Sequence, residues 1–269
     1  PDVLKLSKWT QYSVKNATKV IAISQFTKDE VVKYYHKNPE DIIIAYPAVA
    51  EVQKRFDPKS VQTSFKKHKI TQPYFLFVGT LQPRKNITTL IAAFEIYYRM
   101  QAGRSLQKKY RVQKKNSEIK AKLVIAGKIG WLSESILEKI NNSPVKNKIV
   151  LTGFITELEK HILYHYANAS CLIGLYEGFG IPPLESLHHE TLPIVSNTSS
   201  LPEVVGDAGL LVDPLNPQAV ADQLWSAQHA STLEKRAFKK RAQTQVKKFS
   251  WQQSAQTILT TIISSAQQS

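Results

Sequence analysis

The sequence has few of the features that mark secreted or membrane-spanning proteins. Its 269 residues include one cysteine, Cys171, which excludes a disulfide framework and favours a buried thiol in a reducing compartment. No apolar run approaches the roughly 18–20 residues that a membrane-spanning helix requires. A hydrophobic content of 42% is sufficient for a real core, so these absences indicate a globular protein.

Acidic residues are scarce relative to basic ones. The chain has 36 Lys and Arg against 21 Asp and Glu, which gives a formal net charge of +15. A field of that sign attracts polyanions such as nucleic acid, anionic lipid headgroups and phosphorylated ligands. Solubility is a further explanation, and composition alone does not choose among these.

From Tyr74 onward, short apolar runs alternate with segments of helical periodicity. The runs are nearly continuous, as expected for strands covered on both faces, and lie at 74–78, 122–126, 148–151, 170–173, 193–195 and 209–212. Helices are predicted after Asn86, which suits an N-cap, and at 132–141, 156–166, 183–190 and 217–229. This alternation predicts an α/β fold with a doubly wound parallel sheet.

The two ends of the chain fit this unit less well. Residues 1–50 contain a short strand at 19–24, a helix over roughly 27–36 and an apolar run at 41–49. This pattern indicates the remnant of another α/β domain followed by a connector. We expect the doubly wound domain to span 51–232, and the tail 233–269 to be helical with an amphipathic last segment.

Two loops at predicted strand ends combine glycine with charge. In FVGTLQPRKN a strand ends at Gly79, and Arg84 and Lys85 precede a helix. In LYEGFGIPPLES, glycines lie between Glu177 and Glu185, and a Pro pair suits the first turn of the next helix. Ligands of parallel α/β sheets lie beyond the carboxyl ends of the strands, where helix N-termini favour anions. A diphosphate is the ligand that this chemistry favours.

The two glutamates suit hydroxyl groups on either side of such a diphosphate. Glu185, in the first helical turn, is suited to hold a ribose, and Glu177, at the strand end, to accept from hydroxyls of a second sugar. Together they describe a nucleotide-sugar. The spacing is equally compatible with two solvated loop carboxylates that bind nothing.

Five segments resemble, in order, motifs of the retaining glycosyltransferases of family 4, which have the GT-B fold of two Rossmann-like domains. They are GTLQPRKN, LVIAGKIGW, IVLTGFITELE, LYEGFGIPPLES with the E-x7-E spacing of that family, and SSLPEVVGDAGLLVDPLN. The resemblance covers roughly residues 18–265 and is strongest to bacterial mannosyltransferases of surface-polysaccharide assembly. It implies a Rossmann-like, C-terminal donor-binding domain whose last helix crosses back toward the N-terminal domain.

The resemblance implies a role for each matching residue. Arg84 and Lys85 match the cations on the donor diphosphate, Glu177 the glutamate on the transferred sugar, and Glu185 the glutamate on the ribose. The catalytic set is therefore Arg84, Lys85 and Glu177. The other implied donor-binding residues, with Phe154 near the base, are Gly79, Thr80, Gly127, Lys128, Phe154, Gly178, Phe179, Gly180 and Ile181.

The implied reaction transfers a hexose, with retention of anomeric configuration, to a glycan or lipid-linked acceptor. GDP-mannose is the favoured donor and a UDP-hexose the second, and no metal or other cofactor is implied. The cations stabilise the departing diphosphate, and the leaving phosphate takes the proton of the acceptor. We expect a cytoplasmic protein, with peripheral contact to the anionic inner membrane face as a further partner.

The chain departs from the pattern of that family in three places. Thr80 stands where many relatives carry Arg, so Arg84 and Lys85 are the cations that remain to bind the diphosphate. The segment 188–190, His-His-Glu, replaces small residues after Glu185. It either alters the packing beside the donor or faces solvent, and we expect it to face solvent. Residues 1–45 match only the last strand and helix of the acceptor-side domain. A nucleotide-sugar-binding fragment without turnover is therefore the alternative to an active enzyme.

Two further features allow less specific predictions. His161 and His165 have an i, i+4 spacing that can bind zinc, but no third ligand is apparent, so we predict a helical surface pair and no metal. The basic segment 99–122 contains one aromatic residue, Tyr110, and matches no nucleic-acid module. We predict a solvated helix extension there, with contact to anionic lipid as the second interpretation. A basic protein that binds nucleic acid or membrane remains the third functional hypothesis, and no nucleic-acid partner is predicted.

Overall fold

The first segment forms a parallel pair of strands apart from the main sheet. The computed structural model describes residues 2–50, 54–107 and 121–267. Helix α1 (Asp2–Asn16) leads into strand β1 (Val20–Ala22), helix α2 (Gln25–Tyr35) and strand β2 (Ile42–Ile44), which pairs with β1. The strand and the helix predicted within 19–36 are present. Helix α1 is an element that the apolar pattern did not identify.

The remaining chain alternates helices and strands. In order, the elements are α3 (Pro58–Lys67), β3 (Tyr74–Val78), α4 (Ile87–Gln107), β4 (Lys122–Ala126), α5 (Glu134–Asn141), β5 (Ile149–Gly153), α6 (Glu157–Tyr166), β6 (Ala169–Leu172), α7 (Ile181–His188), β7 (Pro193–Ser196), α8 (Leu201–Val205), β8 (Leu210–Val212), α9 (Pro217–His229), α10 (Thr232–Val246) and α11 (Trp251–Ala266). Helix α3 begins at an Asp-Pro pair whose Asp57 side chain caps it, a start signal that could have identified it in the sequence.

The six strands from β3 to β8 form one parallel sheet in the order β5-β4-β3-β6-β7-β8. The chain winds outward from β3 through β4 to β5, returns to β6 on the other side of β3, and continues to β8. The predicted doubly wound parallel sheet is confirmed. Its winding direction reverses between the neighbouring strands β3 and β6, which makes this junction the topological switch point.

Both faces of the sheet are covered, which explains the continuous apolar runs of its strands. Along β3, Phe75 and Phe77 belong to the larger core, with apolar residues of α4 and α9. Tyr74 and Leu76 belong to a second core, with residues of α6 and the segment that follows α3. Alternate side chains of one strand therefore fill two separate cores.

The tail returns to the first segment. Phe249, just before α11, packs with Tyr46 and Phe179, and the Ser254 hydroxyl on α11 donates to the carbonyl of Tyr46. Helix α11 therefore lies beside the segment that follows β2. The domain boundaries that we predict at 50 and 232 stay a prediction.

The basic segment predicted at 99–122 is helical as far as Gln107, and 108–120 lies outside the described residues. Among the helices that the structure describes, none combines the length and the apolar character needed to cross a bilayer.

We expect Phe94→Ala to lower the free energy of unfolding by about 3–5 kcal/mol, because it removes a fully buried ring from the larger core. Phe94 is 0% exposed and contacts the rings of Phe75, Tyr97 and Tyr98. Urea unfolding followed by circular dichroism measures the change. The control, Leu233→Ala, truncates a side chain that is 75% exposed and should shift stability by less than about 0.5 kcal/mol. Equal losses in the two variants would contradict this assignment of the core.

Candidate functional site

The loops that follow β3 and β6 meet at the switch point. The first contains a single 3-10 turn, Pro83–Lys85, before α4 begins, and the second contains the glycine-rich stretch before α7. Because β3 and β6 are parallel neighbours, both loops leave the same edge of the sheet. The structure thus brings together the two loops that the sequence singled out.

Glu177 forms the centre of a charge cluster in this junction. Its side chain is 8% exposed, and the Lys85 ammonium donates to Oε1 at 2.6 Å while Arg84 Nη1 donates to Oε2 at 2.9 Å. The Lys85 side chain is 10% exposed, whereas that of Arg84 is 46% exposed. The two cations and one carboxylate have a net charge of +1. Arg84 is the more exposed of the two cations, so the excess positive charge is accessible to solvent there. The interpretation of Glu177 as a solvated loop carboxylate is therefore wrong.

Asn86 fastens the first loop to its neighbours. It adopts the left-handed conformation, with φ of 54°, and its side-chain amide donates to the carbonyls of Ile173 and Pro214. In addition, the Leu175 amide donates to the carbonyl of Arg84 at 2.8 Å. The loops after β3, β6 and β8 are thereby connected. Asn86 immediately precedes α4, but the predicted side-chain N-cap is wrong, because Asn86 Oδ1 accepts from the Thr89 hydroxyl at 2.7 Å and not from a backbone N–H of the helix.

The glycine loop itself is held from two sides. The Gly178 carbonyl accepts from the hydroxyls of Ser24, at 2.7 Å, and Thr27, at 3.1 Å, which belong to the first segment. The Ser200 hydroxyl lies 2.8 Å from the carbonyl of Glu177 and 2.6 Å from that of Phe179. The Phe179 ring is buried, so only the backbone of this residue is available to a ligand.

Gly180 and Ile181 end the loop and begin α7. Gly180 has φ of 118°, and a Cβ at this position would lie 2.8 Å from Leu201 Cδ2, so glycine is required there. Pro182 and Pro183 lack backbone N–H groups, so the amide donors at this helix end belong to Gly180 and Ile181.

The strand ends at β3, β4 and β5 approach each other closely. Gly127 has φ of 145°, and a Cβ there would lie 2.0 Å from the carbonyl oxygen of Gly79. Beyond this contact, Lys128 Nζ lies 5.1 Å from the ring centroid of Phe154, which is 65% exposed. Thr80 is exposed as well. These predicted residues line the same edge of the sheet as the charge cluster, on its β4–β5 side.

Glu185 does not join the Glu177 cluster and has a partner that the sequence analysis did not identify. Lys160 on α6 donates to Glu185 Oε1 at 2.6 Å and also lies 2.8 Å from Glu157 Oε2. The Glu185 side chain is 9% exposed, so this carboxylate is not solvated either. The i, i+3 spacing of Glu157 and Lys160 is visible in the sequence, but no local pattern connects Lys160 with α7.

The prediction that residues 188–190 face solvent is wrong. His189 is buried, stacks on Tyr164, and lies within hydrogen-bond distance of His161, with 2.9 Å between Nε2 and Nδ1. Glu190 is half-buried and pairs with Lys239 on α10 at 3.0 Å. The cause is tertiary, because α6 and α10 both pack against α7 and cover its end.

The predicted histidine surface pair is therefore only half correct. His165 is exposed, with its ring against Phe56, but His161 is half-buried and faces His189. Across the described ranges, no group of three or more His, Cys, Asp or Glu side chains has an arrangement suited to a metal ion.

Comparison with known proteins identifies relatives among sugar transferases. The family described as glycosyl transferases group 1 matches residues 60–245, more than half of the chain. The O-antigen chain mannosyltransferase B of Escherichia coli is 26% identical over 249 residues, which cover 92% of this chain and 61% of that protein. The serotype-specific mannosyltransferase WbdA of the same organism is 28% identical over 246 residues, which cover 90% of this chain and 28% of the relative. The chain thus spans less than two thirds of either relative.

Solved structures share the fold at low sequence identity. Anabaena HepE, crystallised with UDP and glucose, has a TM-score of 0.76 and 15% identity, and the match covers 94% of this chain and 64% of HepE. WaaG, a glycosyltransferase involved in lipopolysaccharide biosynthesis, has a TM-score of 0.65 and 16% identity, with 85% of this chain and 58% of WaaG covered. These similarities support the Rossmann-like architecture and the GT-B fold type.

We expect His189→Gln to make the free energy of unfolding less dependent on pH in the acidic range. Burial, followed by the charges of His161, His165 and His188, lowers the pKa of His189 to about 3. An unfolded histidine has a pKa of about 6.5, so between these values the unfolded chain binds an additional proton. The free energy of unfolding therefore falls as the pH decreases from 6.5 toward 3, and His189→Gln removes this contribution.

Urea unfolding at a series of pH values between 7 and 4 measures the slope. The control variant is His229→Gln, which changes an exposed histidine on α9. A slope in His189→Gln as steep as in the unmodified chain would contradict the prediction.

Proposed function

The chain belongs to the group 1 glycosyl transferases. From this membership we propose that it forms the donor-binding part of an enzyme that transfers a hexose from a nucleotide-sugar. The observation that supports this most directly is the cluster of Arg84, Lys85 and Glu177 at the switch point. Parallel α/β sheets bind their ligands at this position.

The diphosphate of the donor is the part of the ligand that the cluster suits best. Arg84 and Lys85 exceed Glu177 by one positive charge, and the half-exposed guanidinium can accept a second anionic partner in addition to Glu177. The amide groups of Gly180 and Ile181 at the start of α7 add donors of the kind that bind phosphate. In this proposal, Glu177 accepts hydrogen bonds from hydroxyls of the transferred sugar, and Glu185 accepts hydrogen bonds from the ribose hydroxyls.

Mannose is the hexose that we propose, with GDP-mannose as donor and a UDP-hexose as the second choice. Two E. coli relatives named as mannosyltransferases support mannose. HepE, which was crystallised with UDP and glucose, supports the more general class of nucleotide-sugars. The acceptor that we propose is a polysaccharide or a lipid-linked glycan.

The mechanism that we propose retains the anomeric configuration. The bond between the sugar and the phosphate loosens, and Arg84 and Lys85 stabilise the charge that develops on the departing diphosphate. The leaving phosphate takes the proton of the acceptor hydroxyl, so the chain supplies positioning and charge and no general base.

Donor binding without turnover is the second candidate, because this chain spans 61% of the length of mannosyltransferase B. Both candidates require nucleotide-sugar binding, and the production of glycosylated acceptor separates them. A cytoplasmic location and contact with the inner membrane face stay predictions.

We expect the chain to bind GDP-mannose, and we expect Glu185→Gln and Glu177→Gln each to weaken binding roughly 10- to 100-fold. Each substitution replaces an ionised hydrogen-bond acceptor by a neutral amide, and hydrogen bonds to charged groups contribute about 1.5–3 kcal/mol. Calorimetric titration with GDP-mannose, UDP-glucose and UDP-N-acetylglucosamine measures the affinities. Glu138→Gln changes an exposed glutamate on α5 and serves as the matched control.

Binding of polyanions in place of nucleotide-sugars would contradict both candidates. Failure to bind any of the three nucleotide-sugars, together with tight, salt-sensitive binding to DNA or anionic vesicles, would exclude both candidates and favour the polyanion-binding hypothesis.

In the whole enzyme, Arg84→Ala and Lys85→Ala are each expected to lower kcat about 10²- to 10³-fold, the usual effect of removing one preorganised partner of developing charge. Steady-state transfer of mannose measures the rates. Lys59→Ala removes an exposed lysine at the start of α3 and should leave kcat unchanged. A decrease of less than threefold in either site variant would remove these residues from the mechanism.

A further inference from the structure

Lys160 forms an ion pair with Glu185, and the proposed mechanism assigns no role to this lysine. The ion pair joins the first half of α6 to α7, and the Nζ to Oε1 distance is 2.6 Å. The side chains are 17% and 9% exposed, so both charges are largely removed from water. A desolvated carboxylate of this kind depends strongly on its partner.

Lys160 is itself fixed from the solvent side. Glu157, three residues earlier on α6, lies 2.8 Å from the ammonium and has a side chain that is 79% exposed. Burial alone would lower the pKa of Lys160, but the hydrogen bonds to Glu157 and Glu185 outweigh burial and raise it. The lysine is therefore a permanent cation between an outer and an inner carboxylate.

Tyr164 lies one helical turn beyond Lys160 on α6, and its ring stacks on His189. Its hydroxyl is buried without a hydrogen-bond partner within the described part of the chain. Burial, and then the charge of Glu185, hold the pKa of Tyr164 well above its usual range.

The bond from Lys160 engages only Oε1 of Glu185. A carboxylate fixed through one oxygen keeps a defined rotamer, and its second oxygen remains an acceptor of known direction. Loss of the lysine would leave the same carboxylate with its charge unpaired and its rotamer free. Recognition of a sugar hydroxyl requires the defined orientation, because a hydrogen bond weakens steeply with misalignment.

We infer that Lys160 is the positioning residue for ribose recognition, which holds Glu185 through Oε1 so that Oε2 accepts from the ribose hydroxyls of a nucleoside diphosphate. This inference rests on the proposed function, because it takes the donor to be a nucleotide-sugar. Lys160 acts through Glu185 and does not itself contact the ligand. Glu157 holds the lysine in place from outside.

The test compares a ligand that contains ribose with one that does not, for which we use GDP and inorganic pyrophosphate. We expect Lys160→Met to weaken GDP binding about 10-fold, on the order of one hydrogen bond to a charged group. Pyrophosphate binding should change less than twofold, and Lys160→Arg should restore most of the GDP affinity. If Lys160→Met does not fold, Lys160→Gln replaces it, with the same direction expected. Calorimetry measures both ligands, and thermal unfolding verifies each variant.

A double-mutant cycle separates positioning from a purely structural link between α6 and α7. In a Glu185→Gln background, Lys160→Met should have no further effect on GDP affinity if the lysine acts only through Glu185. Additive losses would overturn the inference, as would equal losses for GDP and pyrophosphate or unchanged GDP binding in Lys160→Met. In each of these cases the proposed function stands. If the unmodified chain binds neither ligand, the proposed function fails and the inference fails with it.

Discussion

A carboxylate buried at a strand end between two cations is the constraint on which the rest of this site depends. Glu177 is almost fully removed from water, and Lys85 and Arg84 offset the cost of its burial. The three residues belong to two loops separated by about ninety positions in the chain, so the cluster holds β3 and β6 loops against each other. Asn86 extends the connection to the loop after β8. The geometry of the junction is therefore set before any ligand enters.

The sheet explains why the cluster forms at this position. Its winding reverses between β3 and β6, and the switch point of a parallel α/β sheet is where ligands bind. Two segments outside the sheet contact the glycine loop, because Ser24 and Thr27 donate to the Gly178 carbonyl and Phe249 packs against Phe179. The first segment and the tail thus contribute to the position of the glycine loop. Under the proposed function, this arrangement keeps the diphosphate end of the site rigid.

The second carboxylate depends on a different pair of elements. Glu185 is held by Lys160 across the contact between α6 and α7, and the buried His189 and half-buried His161 lie in the same contact. In this region the interpretation from sequence was least successful. The stretch HHE after Leu187 is polar, and polar side chains are usually exposed to solvent, so the sequence predicted exposure. Whether such a residue is buried depends on which helices cover it, and here α6 and α10 do so.

The sequence by itself determined the strands of the main sheet, its doubly wound parallel class and the loops that hold Arg84, Lys85 and Glu177. Apolar runs and glycine-to-helix transitions are local patterns, and the ends of parallel strands must meet at one edge of a sheet. Only the tertiary structure decided that Glu177 and Glu185 are buried, that they have separate partners, and that Lys160 is one of them. It also decided that His189 is buried and that α11 lies beside the segment after β2. The physical reason is that an ion pair or a buried surface joins residues distant in the chain, and no periodicity along the chain specifies which helix faces which.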